Sequence, residues 1–216
     1  MQSYQLLLSP EMSLFEDTYN TIDTLSEGTF RDKGSKFIAY AYPFTDENGL
    51  KDILTEVKNA HPKARHHCYA YRLGMDRSVY RVNDDGEPSG SAGRPILNTL
   101  LSSDLTNILV VVVRYFGGTL LGIPGLINAY KSATQEAVNN AKIVQKHQKD
   151  IYRVQFDYLQ MNDVMRLIKD ENLDIYNQTF DNDCKVELAI RTSLVNKIVD
   201  YLSSLSNTKV TYLRSI

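Results

Sequence analysis

Residues 108–125 read ILVVVVRYFGGTLLGIPG. Six apolar residues in a row, four of them valine, have no polar face to turn to water. The segment is therefore predicted as a strand covered on both sides. It ends on Arg114, runs through Tyr115 and Phe116 into a glycine-rich turn, and opens a helix. Gly117, Gly118, Gly122 and Gly125 fall within nine residues, where they permit positive φ or close approach of a backbone. A buried strand that delivers such a turn to a helix N-terminus is a common way to build an anion site. Arg114 adds planar bidentate contacts, and free N–H groups at the helix start add donors, so the turn suits a phosphate or an RNA backbone. A second reading stays open: the glycines permit tight strand–helix packing, and Arg114 pairs with a carboxylate such as Asp85 or Glu87. No lysine and Ser/Thr follow the last glycine, which excludes a Walker loop.

A second dense stretch, NDDGEPSGSAGRP, packs Asp84, Asp85, Glu87, Ser89, Ser91 and Arg94 around three glycines. Loops this rich in polar groups are where function usually sits. Asp84, Asp85 and Glu87 suit a Mg²⁺ ion with phosphate, or a hydrogen-bonded hairpin end in which Gly86 supplies the left-handed turn. Ser89 lacks the strand–elbow–helix setting of a hydrolase nucleophile. Upstream, ARHHCYAYRLG (Ala64 to Gly74) alternates as a strand, with His66, Cys68, Ala70 and Arg72 on one face and His67, Tyr69, Tyr71 and Leu73 on the other. His67 suits a general base near the acidic loop, or a histidine simply hydrogen-bonded in its strand. His66 and Cys68 have no second His/Cys pair at ligand spacing, so no zinc site is expected. Tyr69, Tyr71, Tyr80 and Tyr115 suit base stacking or core packing.

These three stretches, in this order, resemble the IMPACT family, and more narrowly its two-domain bacterial members. The resemblance runs from about Gly34 to the C-terminus. Where the family pattern carries glycine and arginine, this chain has Pro124 and Asn128. The resemblance implies a first domain similar to one of a small-subunit ribosomal protein and a second similar to elongation factor G. For eukaryotic relatives, which carry an additional N-terminal interaction domain, it implies restraint of an amino-acid-starvation kinase pathway.

The rest of the chain fits two domains. KFIAYAYPF reads as a strand stopped by Pro43, and ENGLKDILTEVKNAHP as a helix with Leu50, Ile53, Leu54 and Val57 on one face. SVYRVND is the hairpin partner of the His66 strand, and helices are predicted around Ser91 to Leu101 and Ile123 to Asn140. After Asn140, YRVQFDY, DVMRLIKDEN, DIYNQTF, KVELAIR, SLVNKIVDYLSSL and KVTYLRS give a βαββαβ order, the ferredoxin-like pattern. The expectation is an α+β protein with a lead-in over residues 1–18, an IMPACT-like domain over 19–143 and a ferredoxin-like domain over 144–216, the boundary lying in the polar segment Val144 to Lys149.

Charge and cysteine usage bound the partners. The net charge is −2, which argues against bulk attraction to nucleic acid. Residues 61–131, which hold all three motifs, carry eight Lys/Arg against five Asp/Glu, a local net of +3. Cys68 and Cys184 lie in different domains and read as reduced thiols. No apolar run nears the roughly 20 residues that span a bilayer, and the N-terminus does not read as a secretory signal. These features point to the cytoplasm. The expected role is an RNA- or ribosome-associated binding protein that modulates translation, its partner an RNA, the ribosome or a translation factor, with no membrane and no sequence-specific DNA. No cofactor is expected beyond the Mg²⁺ alternative. The site is expected at His67, Asp85, Glu87, Ser89, Arg94, Arg114, Tyr115, Gly117, Gly118, Gly122 and Gly125. Two other readings remain: an enzyme acting on a phosphate-containing small molecule or nucleotide, and a protein–protein regulator of a stress-response pathway.

Overall fold

The computed structural model describes residues 17–180 and 184–216. The chain divides into two compact units, Tyr19–Lys146 and a second holding His147–Ile216 with the described residues before Tyr19. The lead-in expected over residues 1–18 lies outside the described residues up to residue 16. Among the described residues, no helix is long and apolar enough to cross a membrane.

The first unit starts with strands β1 (Thr18–Ile22), β2 (Ser26–Asp32) and β3 (Ser35–Pro43), then helix α1 (Leu50–Ala60). Strands β4 (His66–Leu73) and β5 (Val79–Asn83) form a hairpin, followed by α2 (Gly93–Ser102), β6 (Ile108–Tyr115), α3 (Gly122–Asn140) and β7 (Ile143–His147). Five strands form one sheet in the order β2-β3-β6-β4-β5, every neighbour antiparallel. The valine-rich β6 is its central strand, and both of its faces are covered, as a continuous apolar run requires. Val110 and Val112 join Cys68 and Ala70 beneath α2 and α3, while Leu109, Val111 and Val113 join Tyr69, Tyr71 and Leu73 beneath Val57 of α1.

Strand β2 was not legible as a strand. Its inward residues include Ser26 and Gly28, which carry no apolar alternation. The reason lies in α3, which presents Ala129, Ala133 and Ala137, all fully buried, at four-residue spacing. A Cβ on Gly28 would stand 2.2 Å from the backbone N of Ala137, and the Ser26 hydroxyl donates to the Ala137 carbonyl at 2.7 Å. Small residues on both elements let helix and strand backbones nearly touch. Within the segment Val144 to Lys149, where the boundary was expected, residues 144–147 belong to strand β7, which pairs with β1 in a two-stranded ribbon.

The second unit runs β8 (Lys149–Phe156), α4 (Met161–Asp170), β9 (Asp174–Phe180), β10 (Cys184–Arg191), α5 (Val195–Ser204) and β11 (Lys209–Ser215). Its sheet order is β11-β8-β10-β9, all antiparallel, which is the ferredoxin-like arrangement. Val154, Val186 and Leu188 from the sheet, Val164 and Ile168 from α4, and Ile198 and Leu202 from α5 close a core of their own. Residues 181–183, between β9 and β10, lie outside the described residues.

Gly28→Ala should destabilise the protein by about 3 kcal/mol, since the added methyl must push strand and helix apart. Urea denaturation measures it, and a variant within about 0.5 kcal/mol of wild type would refute the close approach.

Candidate functional site

The loop between β5 and α2 is held by its own acidic residues. Asp84 Oδ1 accepts from the Ala92 and Gly93 N–H groups at 3.0 and 2.8 Å, and Oδ2 accepts from Gly90 N–H at 2.9 Å. Ala92 has no side chain that caps α2, so Asp84, eight residues before it, supplies the missing acceptor. Asp85 and Gly86 both take positive φ, +39° and +86°, which turns the chain at the hairpin end. The Asp85 carboxylate accepts from the His67 backbone N–H at 2.6 Å, and its carbonyl accepts from His66 Nδ1 at 2.9 Å. Among the described residues, no three His, Cys, Asp or Glu gather as metal ligands.

Glu87 turns inward. Its Oε1 accepts from an Arg114 guanidinium nitrogen at 2.7 Å and from the Tyr130 hydroxyl at 2.8 Å. The Glu87 and Arg114 side chains are only 3% and 7% exposed. Of the two carboxylates considered for Arg114, the structure selects Glu87. Cys68 extends the network, its Sγ lying 3.2 Å from the Tyr130 hydroxyl and 3.0 Å from the Asp84 carbonyl. Burial pushes the Cys68 thiol and the Tyr130 phenol far upward, so both stay protonated. Cys68 and Cys184 are both free and buried.

At this end of the sheet a groove of about 620 Å³ opens. Lys63, Arg65 and His66 line one part of it, and Arg114, Tyr115, Phe116 and Leu120 the remainder. None of these residues is acidic. The register sets Arg114 opposite both Phe37 and His66, Tyr115 opposite Lys36, and Lys36 opposite Arg31, so further basic residues continue beyond the groove. Phe116 is 54% exposed and Leu120 82% exposed. The Arg114 guanidinium carbon lies 5.6 Å from the Phe116 ring centroid and 5.6 Å from that of Phe37. Tyr115 is held by its hydroxyl, 2.9 Å from His61 Nδ1, while the other ring nitrogen of His61 meets the Tyr40 hydroxyl at 2.7 Å.

The glycines divide by role. A Cβ on Gly117 would stand 1.9 Å from the Gly34 carbonyl carbon, so Gly117 serves close backbone approach, and its N–H donates to Ser35 Oγ at 3.1 Å. Gly118 and Gly122 hold positive φ, +87° and +68°. Gly125 lets the first turn of α3 pack under Leu121. The other expected residues scatter. His67 is buried, its Nε2 has no partner among the described residues, and Asp85 stands 3.8 Å from its Nδ1. Ser89 is exposed on the loop. Arg94 lines a separate groove of about 360 Å³ with Lys131 and Ile127. Tyr69 and Tyr71 are core, and Tyr80 is exposed on β5. Sequence reasoning did not single out Lys63, Arg65, Phe116 and Leu120. The available signal was the basic run KARHH, which enters β4 beside the end of β6.

Two measurements follow from this geometry. Arg114→Met and Glu87→Gln should each cost about 3–5 kcal/mol, because each leaves one buried charge without its counterion, and the double variant should cost less than the sum. Near-native melts for both single variants would contradict a buried ion pair. The second concerns pH. Burial pushes His67 below its ordinary value, partly offset by Asp85, and burial with Lys36 lowers His61. Both are held neutral in the fold while the unfolded chain protonates near pH ~6.5. Their stabilisation is complete above that pH and is lost as pH falls through it towards the folded values. Denaturation midpoints should drop over that window, and His67→Gln should flatten the drop; an unchanged slope would refute it.

A family model of the Impact N-terminal domain matches residues 33–138, the span that holds the groove and the Arg114–Glu87 network. A protein of Haemophilus influenzae described as an IMPACT family member is 33% identical over 177 residues, 81% of this chain and 86% of that protein. The IMPACT family member YvyE of Bacillus subtilis is 28% identical over 192 residues, 89% and 88% of the two chains. A solved structure, described as the crystal structure of a hypothetical protein, superposes with a TM-score of 0.72 at 28% identity, covering 93% of this chain and 98% of that one.

Proposed function

The chain belongs to the IMPACT family, and from that premise we propose that it is an RNA- or ribosome-associated protein that modulates translation in the cytoplasm. The observation that carries the binding reading is the groove beside β6, lined by Lys63, Arg65, His66 and Arg114 with no carboxylate among its lining residues. Local positive charge at a concave surface concentrates a polyanion even when the whole chain is slightly acidic. Arg114 contributes little free charge, since Glu87 neutralises it. Lys63 and Arg65 therefore carry most of the attraction to phosphates, and Arg114 holds the groove's wall. The link to translation is supported by what the family resemblance implies, a first domain similar to one of a small-subunit ribosomal protein and a second similar to elongation factor G.

Anisotropy titration of the full chain with a labelled hairpin RNA bearing a single-stranded tail tests the reading. Affinity should fall steeply with KCl concentration, and Lys63→Ala with Arg65→Ala should weaken binding and reduce the log–log salt slope by about 1–2. Absence of RNA or ribosome binding would overturn the proposal. A partner bound with a flat salt response would point to an apolar protein interface, and turnover needing a divalent metal to an enzyme.

A further inference from the structure

The groove pairs its cations with two exposed apolar side chains, and this combination narrows the ligand. Phe116 is more than half exposed although an aromatic ring of this size favours burial. Its position is nevertheless fixed on both sides. Tyr115 before it is tied through its hydroxyl to His61, and Gly117 after it is seated against Gly34 and bonded to Ser35. The Arg114 guanidinium packs near the ring, and is itself held by Glu87. A solvent-facing aromatic ring beside exposed lysine and arginine side chains is the chemistry that takes an unpaired base and its flanking phosphates.

We propose that the groove binds a single-stranded RNA segment, with one base stacked on Phe116 and the adjoining phosphates on Lys63 and Arg65; this rests on the RNA-binding reading above and specifies its ligand. A duplex keeps its base faces buried in its own stack and cannot offer one to Phe116. About 620 Å³ lies within the range of small-ligand sites and leaves room for a splayed nucleotide. Leu120, 82% exposed in the same groove, supplies an apolar edge for the base. Every base has a π-face, so sequence preference should be weak.

The test uses the full chain, a labelled single-stranded RNA containing 2-aminopurine, and the same strand annealed to its complement. Wild type should bind the single strand more tightly and quench 2-aminopurine on binding. Phe116→Leu, which keeps an apolar side chain without a π-face, should lose about tenfold in single-strand affinity and the quenching, while duplex binding barely changes. Phe116→Tyr should retain both. Lys63→Ala with Arg65→Ala should weaken both RNAs. If Phe116→Leu binds the single strand as wild type does, or if the duplex binds as tightly as the single strand, the stacking proposal fails while RNA binding stands. If wild type binds neither RNA, the broader reading fails with it.

Discussion

The Glu87 carboxylate is the point on which the first unit turns. It accepts from Arg114 at the end of β6 and from Tyr130 on α3, and it sits in the loop that leads into α2. One side chain thus ties a central strand, a helix and the β5–α2 loop in a region almost closed to water. Burying two charges costs several kcal/mol of hydration, and the pair is tolerated only because its geometry is short and the carboxylate gains a second donor in Tyr130. Tyr130 in turn packs edge-on against Phe37, with ring centroids 5.1 Å apart, so the polar network is clamped inside the apolar core.

That arrangement separates two tasks which the sequence presents as one. Arg114 is the arginine that a reader of RYFGG would assign to a phosphate, but its charge is already answered inside the protein. The cations left facing the groove are Lys63 and Arg65, which enter from the loop before β4 because β4 runs antiparallel to β6 and begins where β6 ends. The acidic loop behaves similarly. Asp84 completes the start of α2 and Asp85 closes the hairpin end, so their oxygens are engaged by the fold.

Much of the fold was legible because its signals are local. Six apolar residues from Ile108 to Val113 require burial on both faces, and the alternation from His66 to Leu73 assigns Cys68 and Tyr69 to opposite cores. In the second unit, strands and amphipathic helices alternate in an order that admits few folds. Strand β2 escaped because its inward positions are small, and their smallness has a cause far along the chain, 111 residues from Ser26 to Ala137, in the alanines of α3. Arg114 was legible as the residue that ends the buried strand, but its burial and its choice between Asp85 and Glu87 depend on a loop conformation that the sequence does not display. Lys63 and Arg65 were invisible for a simpler reason: exposed cations in a loop are ordinary until a groove forms beside them.

The glycines of the turn do different work: Gly117 permits a close backbone approach, while Gly118 and Gly122 take positive φ. Glycines after a buried strand suggest that their own N–H groups hold an anion. Here Gly117 gives up its side chain so that two backbones can meet, its virtual Cβ falling 1.9 Å from Gly34 and 2.1 Å from Ser35. Any larger residue would push β6 away from the β2–β3 turn and carry Phe116 with it. The turn therefore acts through the residue that precedes it. Backbone contact on one side and the Tyr115–His61 bond on the other hold the residues that flank Phe116, whose ring is more than half exposed. A protein that holds a phenyl ring outward against the hydrophobic effect does so at a cost, and the groove beside that ring is where a ligand would offset it.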